Sequence, residues 1–200
     1  MTAITTRIWT IGHSNLDWPK FARLLEIAQV AILADVRSSP LSRMAHFNQT
    51  SLKARLNASG VAYIFMGAEL GGRPARGEPA DYEQMAREPL FEAGLSRVEE
   101  TAARGRLALM CSEHEPLECH RCLLVGRRLV ERGKEVAHIL RDGRIEPHET
   151  TEDRLLKLTR QTADDLLETR ADRLCRAYRN QNHRICRLGV KQSASPAPSR

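Results

Sequence analysis

The stretch RLALMCSEHEPLECHRCLLVGRRLVERGKEVAHIL, residues 106–140, sets two apolar runs on either side of a helical pattern. Leu107 to Met110 are consecutive apolar residues, which reads as a short buried strand. Residues 119–132 read as a helix ended by Gly133, and EVAHIL (135–140) as a further strand. A polar loop with Cys111, Glu113 and His114 separates the first strand from the helix. Two thiols, an imidazole and a guanidinium (Cys119, His120, Arg121, Cys122) then follow at the helix start.

The same alternation extends through the rest of the chain. RIWTIGHS (7–14) is a β-type run reaching Gly12. Residues 16–30 place Phe21, Leu24, Leu25 and Ala28 at helical spacing, with Asn15 or Asp17 as cap and Pro19 in the first turn. AILADVR (31–37) is a second strand, residues 48–60 a helix stopped by Gly60, and VAYIFMG (61–67) a third strand. The Gly/Pro-rich residues 68–81 form a long connection, a length that usually serves function. Residues 82–104 read as one helix, and RDGRIEPHE (141–149) as a turn around Asp142-Gly143. Residues 151–188 read as helices with Leu155, Leu156, Leu166, Leu167, Leu174 and Tyr178 on their apolar faces. This order predicts an α/β fold: three layers, a mostly parallel sheet flanked by helices, and a helical C-terminal extension. The expected division is an α/β domain over 1–150, a basic helical extension over 151–190 and a disordered tail over 191–200.

With 42% hydrophobic and 28% charged residues, the composition is that of a soluble globular protein. No apolar run approaches the roughly 20 residues of a membrane span, and the N-terminus lacks signal-peptide character. Five cysteines, none among the first 110 residues, make a poor disulfide framework and suit a reducing compartment. A cytoplasmic location is expected, with no membrane partner. The formal charge is +6, and Arg170 to Arg200 holds eight Lys or Arg against the single acid Asp172. Such an end suggests an acidic partner, nucleic acid first, although a solvated charged face is commoner.

In an open parallel sheet, ligands bind beyond the carboxyl ends of the strands, and the unusual residues here follow the strands. Gly12-His13-Ser14 follows the first, Asp35-Val36-Arg37 the second, Glu69-Leu70-Gly71-Gly72-Arg73 the third, and Cys111-Ser112-Glu113 the fourth. Each alone has a structural explanation as a core histidine, a turn cap, a tight turn or a small buried residue. Together they place a site at one sheet edge.

Three kinds of chemistry suit the thiols. In nucleophilic catalysis, Cys111 is the reactive centre, and Asp35, Glu113 and His13 move protons. Arg37, Arg43 and Arg121 hold an anionic substrate, with Ser14, Gly71, Gly72, Cys119 and His120 lining its place. Helix N–H groups near 117–121 suit a phosphate. For metal binding, Cys111, Cys119, His120, Cys122 and His13 offer enough ligands for zinc, but only one CxxC pair is present and a site of Cys111, Cys119 and His13 is irregular, so no metal ligand is assigned and no cofactor is named. In redox chemistry, Cys119 and Cys122 form a CxxC, but no thioredoxin-like cis-proline loop accompanies it.

IGHSN, LADVRSSPLSR, FN, LGGRP, LMCSEHEPLECHR and HILRDGRIEPHE together resemble the bacterial and archaeal family known as domain of unknown function 488. The resemblance runs from about Arg7 to Glu149. It rests on Gly12, His13, Ser14, Asp35, Arg37, Pro40, Leu70-Gly71-Gly72, Cys111, Glu113, Cys119, His120, Arg121, His138 and His148. It implies an α/β domain with these groups at one site, and no particular reaction. Cys122 lies outside the family's Cys-His-Arg pattern, which weakens the redox reading. The expected function is an enzyme with a cysteine-centred site acting on a phosphate-containing substrate, a nucleotide or nucleic acid. The alternative is a metal- or nucleic-acid-binding module without turnover.

Overall fold

The computed structural model describes residues 7–74, 80–162 and 168–193. Five parallel strands fall on the five apolar runs: β1 (Arg7–Gly12), β2 (Ile32–Asp35), β3 (Ala62–Phe65), β4 (Leu107–Cys111) and β5 (Glu135–Ile139). A sixth, β6 (Ile145–Pro147), pairs antiparallel with β5 and completes a sheet of order β3-β2-β4-β1-β5-β6. The helices are α1 (Trp18–Ile27), α2 (Gln49–Ala58), α3 (Gly67–Leu70), α4 (Tyr82–Met85), α5 (Pro89–Ala102), α6 (Arg127–Glu131), α7 (His148–Leu158) and α8 (Arg170–Ser193). Helices cover both faces, which is the three-layer α/β arrangement the sequence predicts.

Local chemistry sets the element ends. Asp17 caps α1 by accepting from the Lys20 amide at 2.8 Å, and Pro19 needs no N–H in that first turn. Phe21, Leu24 and Leu25 of α1 join Leu52 and Leu56 of α2 over Ile11, Leu33 and Met110 on one face of the sheet. On the other face, Phe91, Leu95, Leu123, Leu129, Leu155 and Tyr178 pack over Ile8, Leu107, Leu109 and Val136.

Two expectations change. Residues 82–104 are two helices, because Pro89 opens α5 and pushes the preceding Glu88 into extended backbone. Residues 141–149 are a hairpin rather than only a turn: Asp142 accepts from the Arg144 amide, Gly143 takes φ +89°, and β6 follows. The C-terminal helices are packed into the body. Ala177, Tyr178, Gln181 and Asn182 of α8 are buried, and the Gln181 amide donates to the Leu117 carbonyl at 2.5 Å. The tail expected over 191–200 begins within α8, while 194–200, Leu166 and Leu167 lie outside the described residues. Among the described residues no helix is long and apolar enough to cross a membrane.

The chain leaves β1 toward β2 on one side and leaves β4 toward β5 on the other. The crevice between the carboxyl ends of β1 and β4 is therefore the topological switch point, where open α/β sheets place their ligands.

Candidate functional site

Along β4, Leu107, Leu109 and Cys111 face the layer containing α5 and α8, while Ala108 and Met110 face α1 and α2, as a period of two requires. After Cys111 the chain folds over the end of β1. A Cβ on Gly12 would lie 1.8 Å from the Glu113 carbonyl oxygen, so only glycine admits that crossing. Pro116–Glu118 make one 3-10 turn, which Glu115 caps by accepting from the Leu117 amide. Cys119 is extended, with φ −136° and ψ 140°, and Arg121–Gly126 then form a π-helix leading into α6. Cys119 thus precedes the helix that the sequence placed it in.

Four side chains converge here. The Cys111 and Cys119 sulfurs each lie 3.2 Å from Glu113 Oε2. His120 Nδ1 is 3.5 Å from the Cys111 sulfur and 3.8 Å from that of Cys119. The other ring nitrogen, Nε2, donates to the Val36 carbonyl at 2.9 Å, which turns Nδ1 toward the sulfurs. Gly72 lies against the ring, where a Cβ would come within 2.4 Å of it. Both cysteines and His120 are buried, and Glu113 is the exposed member.

Electrostatics divide the two thiols. Burial raises the Cys111 thiol well above its usual range, and its hydrogen bond to Cys119 adds to this. Burial also opposes ionisation of Cys119, but the bond from Cys111, the Arg121 guanidinium and His120 outweigh it and bring that thiol down. Desolvation and the nearby Cys119 sulfur raise the Glu113 carboxyl. The surroundings thus favour a thiolate at Cys119 over one at Cys111.

Arg121 is fully buried beside Cys119. Its guanidinium donates to the Glu113 carbonyl at 2.5 Å and the His114 carbonyl at 2.9 Å, so it holds the loop in place rather than reaching for a substrate. Cys111, Cys119 and His120 also bring their ligand atoms within 4.8 Å of one another, close enough to share a metal ion.

His13, Asp35 and Arg37 form a second group at the same edge but toward α1 and α2. Asp35 takes the face of Leu33, and Arg37 pairs with it through Nε at 2.8 Å and Nη2 at 2.6 Å. Arg37 also donates to the Phe47 carbonyl and His13 Nε2, and the Tyr63 hydroxyl donates to Asp35. His13 donates from Nδ1 to the Ser14 carbonyl and stacks on Phe47 at 4.2 Å. Burial lowers its pKa to about 4. Nε2 accepts from Arg37 and Nδ1 donates to Ser14, which is the bonding of a neutral ring. The single cleft expected for His13, Asp35, Arg37, Cys111 and Arg121 is therefore two clusters at one edge.

The remaining residues support the edge. Ser14 takes φ 43° and extends the β1–β4 ladder by donating to the Ser112 carbonyl. Gly71 leaves room for Ser38 Oγ, which accepts from the Arg73 amide. Arg43 is exposed. A cavity of about 540 Å³ is lined by His114 and Glu115, which follow Glu113 in the chain, and by Lys20, Arg141, Asp142, Arg144, Glu146 and Arg154, with no side chain of the cluster in its wall.

The sequence model described as Domain of unknown function DUF488 matches residues 17–127. The chain belongs to the DUF488 family. The DUF488 match includes Asp35, Arg37, Gly71, Gly72 and the whole Cys111–Arg121 segment, and it leaves out Gly12, His13, His138 and His148. No curated protein and no solved structure matches the chain.

Sequence reasoning gave His138 and His148 no role. Tyr178 donates to Glu152 Oε1 and so accepts from His148 Nε2. His148 Nδ1 then accepts from His138 Nε2 at 3.0 Å, and His138 Nδ1 from the Thr10 hydroxyl at 2.7 Å. This buried chain is satisfied end to end with neutral imidazoles. The two histidines ten positions apart in HILRDGRIEPH were its one sequence signal.

Proposed function

We propose that this protein is a cytoplasmic enzyme whose reaction takes place at the Cys111–Glu113–Cys119–His120 cluster, on a phosphate-bearing substrate of nucleotide size. The observation that carries the reading is the convergence itself. Two sulfurs, a carboxylate oxygen and a ring nitrogen meet at 3.2–3.8 Å at the switch point of a parallel sheet. Groups of this kind, able to attack, ligate or move protons, are what acid–base and nucleophilic chemistry requires.

The substrate's charge falls to different cations from those the sequence suggested. Arg37 and Arg121 spend their donors inside the protein. The cavity beside His114 offers Lys20 and Arg141 instead, with Arg144 paired to Asp142 and Arg154 to Glu115 and Glu146, at a volume that suits a nucleotide. The helix read as a nucleic-acid arm uses much of its charge internally. Arg170 pairs with Asp153, Arg176 with Glu168, and Arg184 lies 3.9 Å from Glu118. This favours a small ligand over a polymer.

A panel of nucleotides and phosphate esters, scanned for thermal stabilisation and for product formation, tests the reading. Stabilisation should fall at least severalfold in Lys20→Ala/Arg141→Ala, and turnover should disappear in Glu113→Gln. Binding without product from any member would leave a binding module. No stabilisation by any member would reject the substrate class.

A further inference from the structure

We propose that Cys111, Cys119 and His120 hold one divalent d-block metal ion, zinc by the chemistry of the donors, with the fourth corner open beside Glu113. The inference deepens the reading of this cluster as the reacting centre and rests on it.

Geometry is the first argument. Zinc takes sulfur at about 2.3 Å and nitrogen or oxygen at about 2.0–2.2 Å, and a tetrahedron of such bonds has sulfur-to-nitrogen or sulfur-to-oxygen edges of about 3.5 Å. The corresponding separations here are 3.5 and 3.8 Å to His120 Nδ1 and 3.2 Å from each sulfur to Glu113 Oε2. Cys111, Cys119 and His120 therefore already stand as three ligands able to share one ion, with Glu113 against the two sulfurs.

The surroundings are those of a ligand set. A metal-bound imidazole usually donates its other N–H to a fixed acceptor, and His120 gives Nε2–H to the Val36 carbonyl. Gly72 fixes the ring plane from behind. Arg121 is buried beside Cys119 and offsets part of the charge that two thiolates bring. Paired thiolates with an imidazole select zinc and its soft neighbours over magnesium or calcium.

The division between buried and exposed ligands indicates the use. Three donors are buried and fixed, while Glu113 beside them is an exposed residue, so the open corner on its side is the one that water or a substrate oxygen can take. Two Cys and one His with an open fourth position is the ligand count of a catalytic rather than a purely structural zinc. The ion would then polarise a phosphoryl oxygen or the water that attacks it, with Glu113 placed to accept that water's proton.

The full chain, stripped of metal by a chelator under reducing conditions, is titrated with cobalt(II) as a spectroscopic substitute. One equivalent should give thiolate-to-cobalt charge transfer and the intense visible bands of tetrahedral cobalt, and zinc should displace it. Cys111→Ser and Cys119→Ser should each lose charge-transfer intensity and weaken binding beyond the roughly 10–100-fold cost of losing an outer partner. Cys175→Ser and Cys186→Ser should match the parent. Should the serine variants fail to fold, the unmodified chain still decides the matter. Zinc should protect Cys111 and Cys119 from alkylation, as read by peptide mapping, and the chelator should abolish that protection. A featureless cobalt titration, or alkylation of both cysteines indifferent to zinc, overturns the proposal. Nucleotide turnover that persists after complete metal removal also overturns it, but leaves the cluster as the reacting centre. Absence of turnover with zinc bound leaves the metal standing and removes the enzymatic reading.

Discussion

At the scale of single residues, the two buried arginines of the sheet edge show how a charge reads differently inside a fold. Arg37 is 3% exposed and Asp35 0%, and every oxygen and nitrogen of that pair has a partner. Removing one member leaves the other buried and uncompensated, which costs about 3–5 kcal/mol. Asp35→Ala should therefore lower the unfolding free energy measured in urea by that amount, whereas Asp35→Leu/Arg37→Met should recover much of the loss. A single variant that unfolds like the parent would mean Arg37 reaches water. The sequence showed Asp35, Arg37, His13 and Cys111 as strand-end residues correctly, because apolar runs stop at them. Which face each takes was not visible. ILADV is apolar toward both layers, so the run carries no alternation to fix the phase that puts Leu33 and Asp35 on one side and Ala34 and Val36 on the other.

At the scale of elements, the helix that looked like an appendage is a wall of the molecule. Ala177, Tyr178, Gln181 and Asn182 are all under about a tenth exposed, and Gln181 satisfies the carbonyl of Leu117, two residues before Cys119. A chain ending at Thr169 should melt well below the full chain. Tyr178→Phe, which strips His148 Nε2 of its acceptor, should cost about 1–3 kcal/mol in denaturant unfolding. Equal stability of the truncated and full chains would return α8 to the status of an arm. The basic surface of α8 drew attention in the sequence more than its apolar stripe did, since Leu174, Tyr178 and Ile185 are few among many arginines. β6 escaped because three residues carry no periodicity, and its neighbour Asp142-Gly143 gave the stronger turn signal. The π-helix escaped because one wide turn leaves no mark in the spacing of Leu123, Leu124 and Leu129.

At the scale of the whole molecule, the buried histidines set the acid limit. His13 and His148 both have pKa values of about 4 in the fold, held down by burial, and burial also holds His138 well below its usual value. Each is depressed below its value of 6.5 in the unfolded chain, so the unfolded state takes up protons first as pH falls. Stability should be level above about pH 6.5 and decline from there toward pH 4, by about 3 kcal/mol for each of these two histidines over the full span. Urea titrations between pH 8 and 4 measure this, and His148→Gln should remove a proton from the slope. A flat profile across that window would show the histidines titrating normally. The topology also governs the order of assembly. β1 is the central strand, yet both of its partners lie about a hundred residues further along the chain, and Gly12 waits for Cys111. Long-range parallel pairing of this kind is slow, so the crevice between β1 and β4 closes late. Until it does, three thiols destined for burial, Cys111, Cys119 and Cys122, stand open to oxidants, which makes a reducing environment a condition of correct folding.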